Sequence, residues 1–248
     1  MAAILATKEL CKHFGGVWAV DHANLEIFPK QVKSIIGPNG AGKTTLINLI
    51  TGRLPASSGA VIYKGENITK KSPNERVKMG ICRTFQINSI FLGLTVFENV
   101  RIAKQAQLGG SLKIFSSKKS LSRVNDETWS ILERIKMTDK SDIIASNLAH
   151  GDQRLLEVGI ALAGNPEVLF LDEPTAGMSS AETKRVAQLI TDLAKDISVV
   201  LVEHDMDLVM EISDVITVLH QGVIIAEGDP VTIRKNETVK EAYLGKEE

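Results

Sequence analysis

Hydrophobic positions in the first third of the chain fall in short runs that are typical of β-strands. Strands are predicted over residues 4–10, 18–27, 32–36 and 60–63, with turns at 15–16, 29–30, 57–59 and 65–67. The run 32–36 is largely apolar, although Lys33 and Ser34 interrupt it. A glycine-rich loop and a helix predicted over 43–51 follow this run.

The rest of the chain has helical spacing first and then an alternating pattern. Residues 97–148 are mainly helical in spacing, but five serines and three lysines over 111–122 predict an exposed loop or flexible excursion. Another helix is predicted over 154–163. From there strands and helices alternate over 168–171, 181–194 and 198–202, and a hairpin of 214–219 with 223–226 turns at Gln221-Gly222.

This alternation predicts an α/β core with a mostly parallel sheet, into which the helical middle is inserted as a subdomain. We expect one domain, in which residues 1–86 and 150–248 form the core and 87–149 form the helical subdomain.

Composition excludes several classes of protein. The 248 residues are 44% hydrophobic and 24% charged, as in globular proteins, and 29 basic against 30 acidic residues leave no basic field for nucleic acid. Cys11 and Cys82 are too few for a secreted disulfide framework and are expected to be thiols in a reducing compartment. No basic start precedes an apolar leader, and no run approaches ~18 apolar residues. A cytoplasmic protein is therefore expected.

A glycine-rich segment after the third predicted strand matches the phosphate-loop pattern, in which glycine and four residues precede Gly-Lys-Ser/Thr. Its residues are Gly37, Pro38, Asn39, Gly40, Ala41, Gly42, Lys43, Thr44 and Thr45. Glycines allow the backbone to fold around phosphates, and the following helix adds its positive end. Lys43 is predicted to reach the β and γ phosphates of a nucleotide, and Thr44 to bind Mg²⁺.

A phosphate loop requires a carboxylate at the end of another core strand to organise the metal ion. The apolar run 168–171 ends in Asp172 and Glu173. Asp172 is predicted to hold Mg²⁺, directly or through water, and Glu173 to polarise the attacking water. An exposed acidic turn is the alternative for the pair taken alone, and the phosphate loop favours the catalytic interpretation.

Residues 148–153 form a third candidate segment, because they precede a predicted helix and contain Gly151. A glycine at the start of a helix can present N–H groups to an anion. By itself the segment is equally well explained as an ordinary helix cap.

The order of these segments, with Gln86 after the first series and His204 after the strand 198–202, resembles the nucleotide-binding subunit of ATP-binding cassette (ABC) transporters. The resemblance extends over about residues 4–245. A finer similarity, to the ATPases of branched-chain amino acid (Liv-type) importers, is carried by residues 82–86, 95–100, 202–206 and 242–245. The family has a P-loop NTPase core with a mostly parallel sheet, an N-terminal antiparallel β-subdomain and an inserted α-helical subdomain.

The resemblance implies roles for further residues. Phe14 is expected to stack on the adenine of ATP, although a core or hairpin aromatic is the alternative. Gln86 is expected to contact Mg²⁺ and water and to sense the membrane partner, and His204 to contact the γ phosphate. In the family two subunits pack head to tail, so a segment of one subunit closes over the ATP of the other. The residues expected to do so here are His150, Gly151, Asp152 and Gln153.

The partners implied are transmembrane permease subunits, a second cassette that is this chain or a paralogue, and indirectly an external solute-binding protein. No nucleic acid is expected to bind. The implied location is peripheral, at the cytoplasmic face of the inner membrane. Apolar residues over 87–94 are either a groove for a permease helix or packing within the helical subdomain.

Two positions depart from the family pattern. Ala149 stands where the family commonly has serine, whose hydroxyl contacts the γ phosphate, and losing that bond costs on the order of 1 kcal/mol. Ser179 stands where the family often has aspartate, in a loop that crosses the dimer interface. Neither change touches Lys43, Asp172 or Glu173, so an active ATPase is predicted.

The alternatives are an exporter ATPase of the lipid or lipopolysaccharide type and a non-transport cassette acting on nucleic acid or ribosomes.

Overall fold

The computed structural model describes residues 2–84, 90–108 and 118–244, without the side chains of 118–121 and 244. The chain divides into two compact units, residues 1–76 with 190–248 and residues 77–189. The strands are β1 (Leu5–Phe14), β2 (Val17–Ala23), β3 (Glu26–Ile27), β4 (Val32–Ile36), β5 (Ser58–Tyr63), β6 (Glu66–Asn67), β7 (Ile81–Arg83), β8 (Val168–Asp172), β9 (Ser198–Val202), β10 (Val215–His220) and β11 (Val223–Gly228). The helices are α1 (Lys43–Ile50), α2 (Pro73–Lys78), α3 (Val96–Gln107), α4 (Lys118–Arg134), α5 (His150–Leu162), α6 (Ser180–Ala194), α7 (Met206–Ile212), α8 (Pro230–Lys235) and α9 (Glu237–Leu244), with 3₁₀ turns at Thr138–Lys140 and Ala145–Asn147.

The first unit contains two kinds of sheet. β2, β1, β5 and β6 follow one another in an antiparallel sheet, and β3 also pairs with β1. In the second sheet β10 and β9 flank β4 in parallel, and β11 is antiparallel to β10. All residues of β4 and β9 are buried, as expected for central parallel strands. The predicted α/β fold and antiparallel β-subdomain are confirmed.

Two polar residues of β4 are buried because each has a partner. Lys33 Nζ donates to Glu26 O at 2.7 Å and to Glu227 Oε2 at 2.8 Å. Burial lowers the pKa of Lys33, and the Glu227 carboxylate compensates part of the cost of burying the charge. Ser34 Oγ lies 2.6 Å from Ser213 Oγ. These pairs explain how a central strand accommodates residues that interrupt its apolar run.

The second unit combines a parallel pair, β7 with β8, and the helices α3, α4 and α5. The prediction of a loop over 111–122 is wrong for 118–122, which begin α4; residues 111–117 lie outside the described part. Apolar positions at Val124, Ile131 and Leu132 have helical spacing and are buried. A helix with such a buried face tolerates a polar first turn.

Several predicted boundaries in the first unit are wrong. Ser58 and Gly59, predicted as a turn, belong to β5, where Gly59 has φ of 82°. The predicted strand 18–27 is divided into β2 and β3, and residues 66–67 form β6 rather than a turn. The sequence analysis did not predict β7 or the short helices α2, α7, α8 and α9.

Cys11 and Cys82 are buried and form no disulfide, as predicted. Within the described ranges, no helix combines the length and the apolar character needed to cross a membrane.

Candidate functional site

The loop after β4 has a backbone that only glycine can adopt at two positions. Gly37 has φ of 153° and Gly42 has φ of 102°. A β-carbon would lie 2.0 Å from Leu219 O at residue 37 and 2.2 Å from Ala19 O at residue 42. The glycines of the phosphate-loop pattern are therefore required both for conformation and for space.

Lys43 begins α1 and is buried, with Nζ donating to Gly37 O at 2.6 Å and to Pro38 O at 3.1 Å. The loop thus encloses the ammonium group of Lys43. In the phosphate-loop pattern this lysine contacts the phosphates of the nucleotide. Thr44 is exposed on the first turn of α1 and Thr45 is half-buried. Asn39 and Gly40 are exposed at the loop tip.

The C-terminal helix contacts the same loop. Tyr243 lies on α9, where burial raises its pKa to about 12 although the nearby backbone of Gly37 lowers it in part. Sequence reasoning assigned no role to Tyr243, and nothing local in the sequence indicates this contact.

His204 follows β9 and is exposed. Its N–H donates to Glu203 Oε2 at 3.0 Å, and Glu203 is buried. The Asp205 side chain then accepts the N–H groups of Asp207 and Leu208 and so caps α7. His204 is therefore held between a strand end and a capped helix.

The second unit carries the predicted carboxylates at the end of β8. Asp172 is buried, and Oδ2 lies 2.5 Å from Arg83 Nη2 on β7. Thr84 follows β7 and extends the pairing with β8, because its N–H donates to Phe170 O at 2.9 Å. Arg83 was not among the predicted site residues, although it lies three positions before Gln86. Gln86 itself lies outside the described residues.

Glu173 adopts a left-handed backbone with φ of 47°. Left-handed backbone is unfavourable for a residue other than glycine and is often found at functional sites. Its side chain is half-buried, whereas that of Asp172 is buried. The two adjacent carboxylates therefore have different environments.

The segment 148–153 forms the start of α5, with Ala149 as N-cap residue and no side-chain capping bond. The Glu182 carboxylate lies beside the backbone of Gly151, since Oε1 is 2.4 Å from where a β-carbon of residue 151 would lie. Glu182 Oε2 also lies 2.6 Å from Ser179 Oγ and accepts the N–H of Ser179 at 2.9 Å. The hydrogen bonds from Ser179 lower the pKa of Glu182, so a carboxylate lies at the N-terminus of the predicted anion-binding helix. Serine followed three residues later by glutamate is a capping-box pattern, a signal that could have identified this pair.

Two other residues of this segment have structural contacts. Asp152 is buried beside Lys140 Nζ at 2.5 Å and Arg185 at 3.6 Å. Gln153 Nε2 donates to Ala145 O and Leu148 O, both at 3.3 Å. His150 is exposed, and the structure places its ring 3.6 Å from the β-carbon that residue 177 would have.

Phe14 ends β1 and is 52% exposed, with Lys12 Nζ 5.2 Å from its ring centroid. The ring is available for stacking at a hairpin end and is not a core residue. Trp18, across the hairpin, is a second exposed aromatic that sequence reasoning did not assign.

The family to which this chain belongs follows from comparison with known protein families. A model described as ABC transporter matches residues 20–176. The chain belongs to the ABC transporter family. The resemblance inferred from the order of its motifs is confirmed, and this cassette is a member of the ABC ATPases.

Individual relatives agree with this assignment. The cassette is 41% identical to the high-affinity branched-chain amino acid transport ATP-binding protein LivG of Escherichia coli K12, over 98% of both chains. It is 39% identical to the corresponding protein BraF of Pseudomonas aeruginosa, again over 98% of both chains. The crystal structure of an ABC transporter cassette in its ADP conformation has a TM-score of 0.88 at 33% identity, covering 99% of this chain and 100% of that one. Residues 223–248 match a model described as branched-chain amino acid ATP-binding cassette transporter.

Proposed function

We propose that this cassette is the ATP-hydrolysing subunit of a membrane importer for branched-chain or related amino acids. The observation that carries the proposal is its 41% identity with LivG over 98% of both chains. The match of residues 223–248 to the branched-chain amino acid cassette model supports the same substrate class.

In this proposal Lys43 and the N–H groups of the loop 37–45 bind the phosphates of ATP. Lys43 would exchange its bonds to Gly37 O and Pro38 O for phosphate oxygens. Phe14 would stack on the adenine ring, for which its exposure at the hairpin end suits it.

The residues present fit Mg²⁺, which prefers oxygen ligands and several waters. Thr44 offers an exposed hydroxyl and Asp172 a carboxylate, and Gln86 is the third proposed contact. When bound, Mg²⁺ supplies positive charge that neutralises the phosphates. Asp172 would then hold the cation or its water beside the guanidinium group of Arg83.

Glu173 is proposed to accept a proton from the attacking water, and His204 to donate a hydrogen bond to the γ phosphate. The start of α5 would bind the γ phosphate of a second, head-to-tail cassette, through Gly151 N–H and the helix N-terminus. Asp152 and Gln153 contribute by fixing this helix start, through the contacts described above.

An apolar surface in the second unit is proposed to dock a permease helix. Phe91, Leu92, Ile143 and Ile144 are between 38% and 56% exposed. Backbone hydrogen bonds join the segment that contains Phe91 and Leu92 to the segment that follows Ile143 and Ile144, such as Ser146 N–H to Leu92 O at 3.0 Å. The buried amide of Asn99 bonds the backbone of Phe91 and fixes the turn. Exposed apolar side chains on a rigid turn favour a partner helix, which would place the cassette at the cytoplasmic face of the membrane.

Affinity purification of the tagged chain from solubilised native membranes tests the proposal. Polytopic permeases, with a second cassette and a solute-binding protein, are the expected companions. Leu92→Asp should lose the permease, whereas Val231→Asp, at another exposed apolar position, should retain it. Recovery of lipid-export components or ribosomes would replace the proposal by one of those functions.

A further inference from the structure

A β-bulge on the hairpin of β1 and β2 brings three potential metal ligands together. The register shifts between Leu10 and Lys12, so that Asp21 and His22 both lie opposite Cys11. His22 has φ of 46° at this point. Neighbouring side chains in a regular strand point to opposite faces, and a bulge interrupts that alternation. Asp21 and His22 can therefore converge on Cys11.

The ligand atoms of these three side chains are close to one another. One thiol sulfur, one imidazole nitrogen and one carboxylate oxygen all lie within 4.8 Å of each other. Asp21 Oδ1 is 2.6 Å from His22 Nδ1. The N–H of His22 donates to Cys11 Sγ at 3.2 Å, which anchors the sulfur beside the bulge.

The cluster is closed on one side and open on the other. Cys11 is buried, whereas the side chains of His22 and Asp21 are 62% and 37% exposed. Beside the bulge, Asn24 Nδ2 donates to Glu9 Oε1 at 2.5 Å and Asn24 Oδ1 accepts the N–H of Glu9 at 2.9 Å. A cation could enter from solvent and bind ligands on β1 and β2, which the Asn24–Glu9 hydrogen bonds hold together.

We propose that Cys11, Asp21 and His22 form a binding site for a zinc-class divalent cation. Thiolate, imidazole and carboxylate are the ligands that zinc prefers, and three protein ligands leave one position for water. Neighbouring ligand atoms in tetrahedral zinc sites lie about 3–4 Å apart, so small side-chain rotations suffice. The cation replaces the Asp21–His22 hydrogen bond and the proton of the Cys11 thiol, which passes to solvent.

This site is distinct from the one proposed for Mg²⁺, but backbone hydrogen bonds connect it with the phosphate loop. Asp21 N–H donates to Gly222 O at 2.8 Å, and Gly222 N–H donates to Ala41 O at 2.9 Å. Two hydrogen bonds therefore separate the bulge from the loop. The proposal rests on the ligand geometry alone and does not depend on the transported substrate.

Titration of the purified, nucleotide-free chain with Co²⁺ tests the site. One Co²⁺ per chain is expected, with a thiolate-to-cobalt charge-transfer band in the near ultraviolet that Zn²⁺ abolishes. His22→Gln, a substitution of an exposed side chain, should weaken binding by at least about tenfold. Cys11→Ser should abolish the band.

Two matched variants control for non-specific binding. His13→Gln alters a histidine on the same hairpin, and Cys82→Ala removes the other thiol; both should bind Co²⁺ within about twofold of the parent chain, because neither is a ligand. The proposal is overturned by an absent charge-transfer band in the parent chain, or by His22→Gln binding as tightly as His13→Gln. If Cys11→Ser does not fold, the comparison of the two histidine variants still decides.

Discussion

Arg83 and Asp172 form a buried ion pair in which Nη2 lies 2.5 Å from Oδ2 and the two side chains are 7% and 2% exposed. Asp172 is also the carboxylate proposed to hold Mg²⁺. A carboxylate can bind a guanidinium group and a cation at the same time through different lone pairs, but the two positive charges repel each other. Arg83 is therefore expected to act as an internal competitor of Mg²⁺.

Replacing Arg83 by glutamine should tighten Mg²⁺ binding and weaken the fold. Removing one partner of a buried pair leaves an uncompensated charge, at a cost of about 3 kcal/mol in the free energy of unfolding. Metal binding would recover part of that loss. Urea unfolding with and without Mg²⁺, together with direct titration by Mn²⁺, measures both effects.

The matched control is Arg154→Gln, which removes an ion pair with Glu157 on α5 in the same unit. It should leave the metal affinity unchanged. Equal metal affinities in the two variants would show that Arg83 does not compete with the cation.

Glu173→Gln should bind ATP normally and lose most of its turnover. Loss of a general base typically lowers the rate by about 10²–10⁴-fold, while the amide keeps the shape of the carboxylate. Steady-state hydrolysis and equilibrium ATP binding separate the two properties. Glu167→Gln, an exposed glutamate before the same strand, is the control. Near-parental turnover in Glu173→Gln would remove Glu173 from the mechanism.

Ala149→Ser should stabilise the protein. Ala149 is the N-cap residue of α5, with φ of −61° and ψ of 155°, and makes no side-chain capping bond. A serine hydroxyl there can accept the N–H of Asp152, which is worth about 1 kcal/mol, or a rise in Tm of about 2–4 °C. Thermal unfolding checks the gain, and Ala149→Val, which lacks a hydroxyl, should not show it. A serine variant no more stable than the valine variant would contradict the capping geometry.

Glu182→Gln should strengthen ATP-dependent dimerisation. The Glu182 carboxylate lies beside Gly151, whose N–H is proposed to meet the γ phosphate of a second cassette, and its negative charge repels that phosphate. The pKa of Glu182 is lowered by its bonds to Ser179, so the charge persists at neutral pH. Sedimentation of the Glu173→Gln background with ATP measures the dimer. Glu133→Gln, an exposed glutamate of the same unit, is the control, and equal dimer fractions would refute the competition.

Alkaline stability should depend on Cys82. Burial raises the pKa of the Cys82 thiol from 9.0 to about 11, so the folded state keeps the proton more tightly than the unfolded state. This contribution is complete below pH 9.0 and is lost as the pH rises towards 11. Urea unfolding of the parent chain should therefore lose more stability over that interval than Cys82→Ala does. Parallel losses in the two proteins would mean that Cys82 does not titrate in this way.

The glycine-rich loop over 37–45 was predictable because its determinants are local. Gly37, Gly42 and Lys43 lie within seven consecutive residues, and the apolar run before them forms β4 with the predicted ends, as 198–202 forms β9. Short patterns of this kind predict backbone conformation and strand burial. The family resemblance was recoverable for the same reason, because it rests on the order of short motifs.

The short helices at the C-terminus and the start of α4 were not predictable to the same degree. α7 and α8 have six or seven residues, too few for helical periodicity to be distinct. Their helical stability comes mainly from packing against the core cluster around Val209 and Ile233. Such packing is visible only once the chain is folded.

The sequence alone determined the cassette fold, the glycine-rich loop over 37–45 and the two carboxylates at the end of β8, since each depends on neighbours along the chain. Only the tertiary structure decided that Arg83 pairs with Asp172, 89 residues away, and that the Glu182 carboxylate lies beside Gly151. It also decided that a bulge gathers Cys11, Asp21 and His22. These contacts join residues on different elements, so they depend on strand register and helix packing. Neither strand register nor helix packing can be deduced from a short sequence pattern.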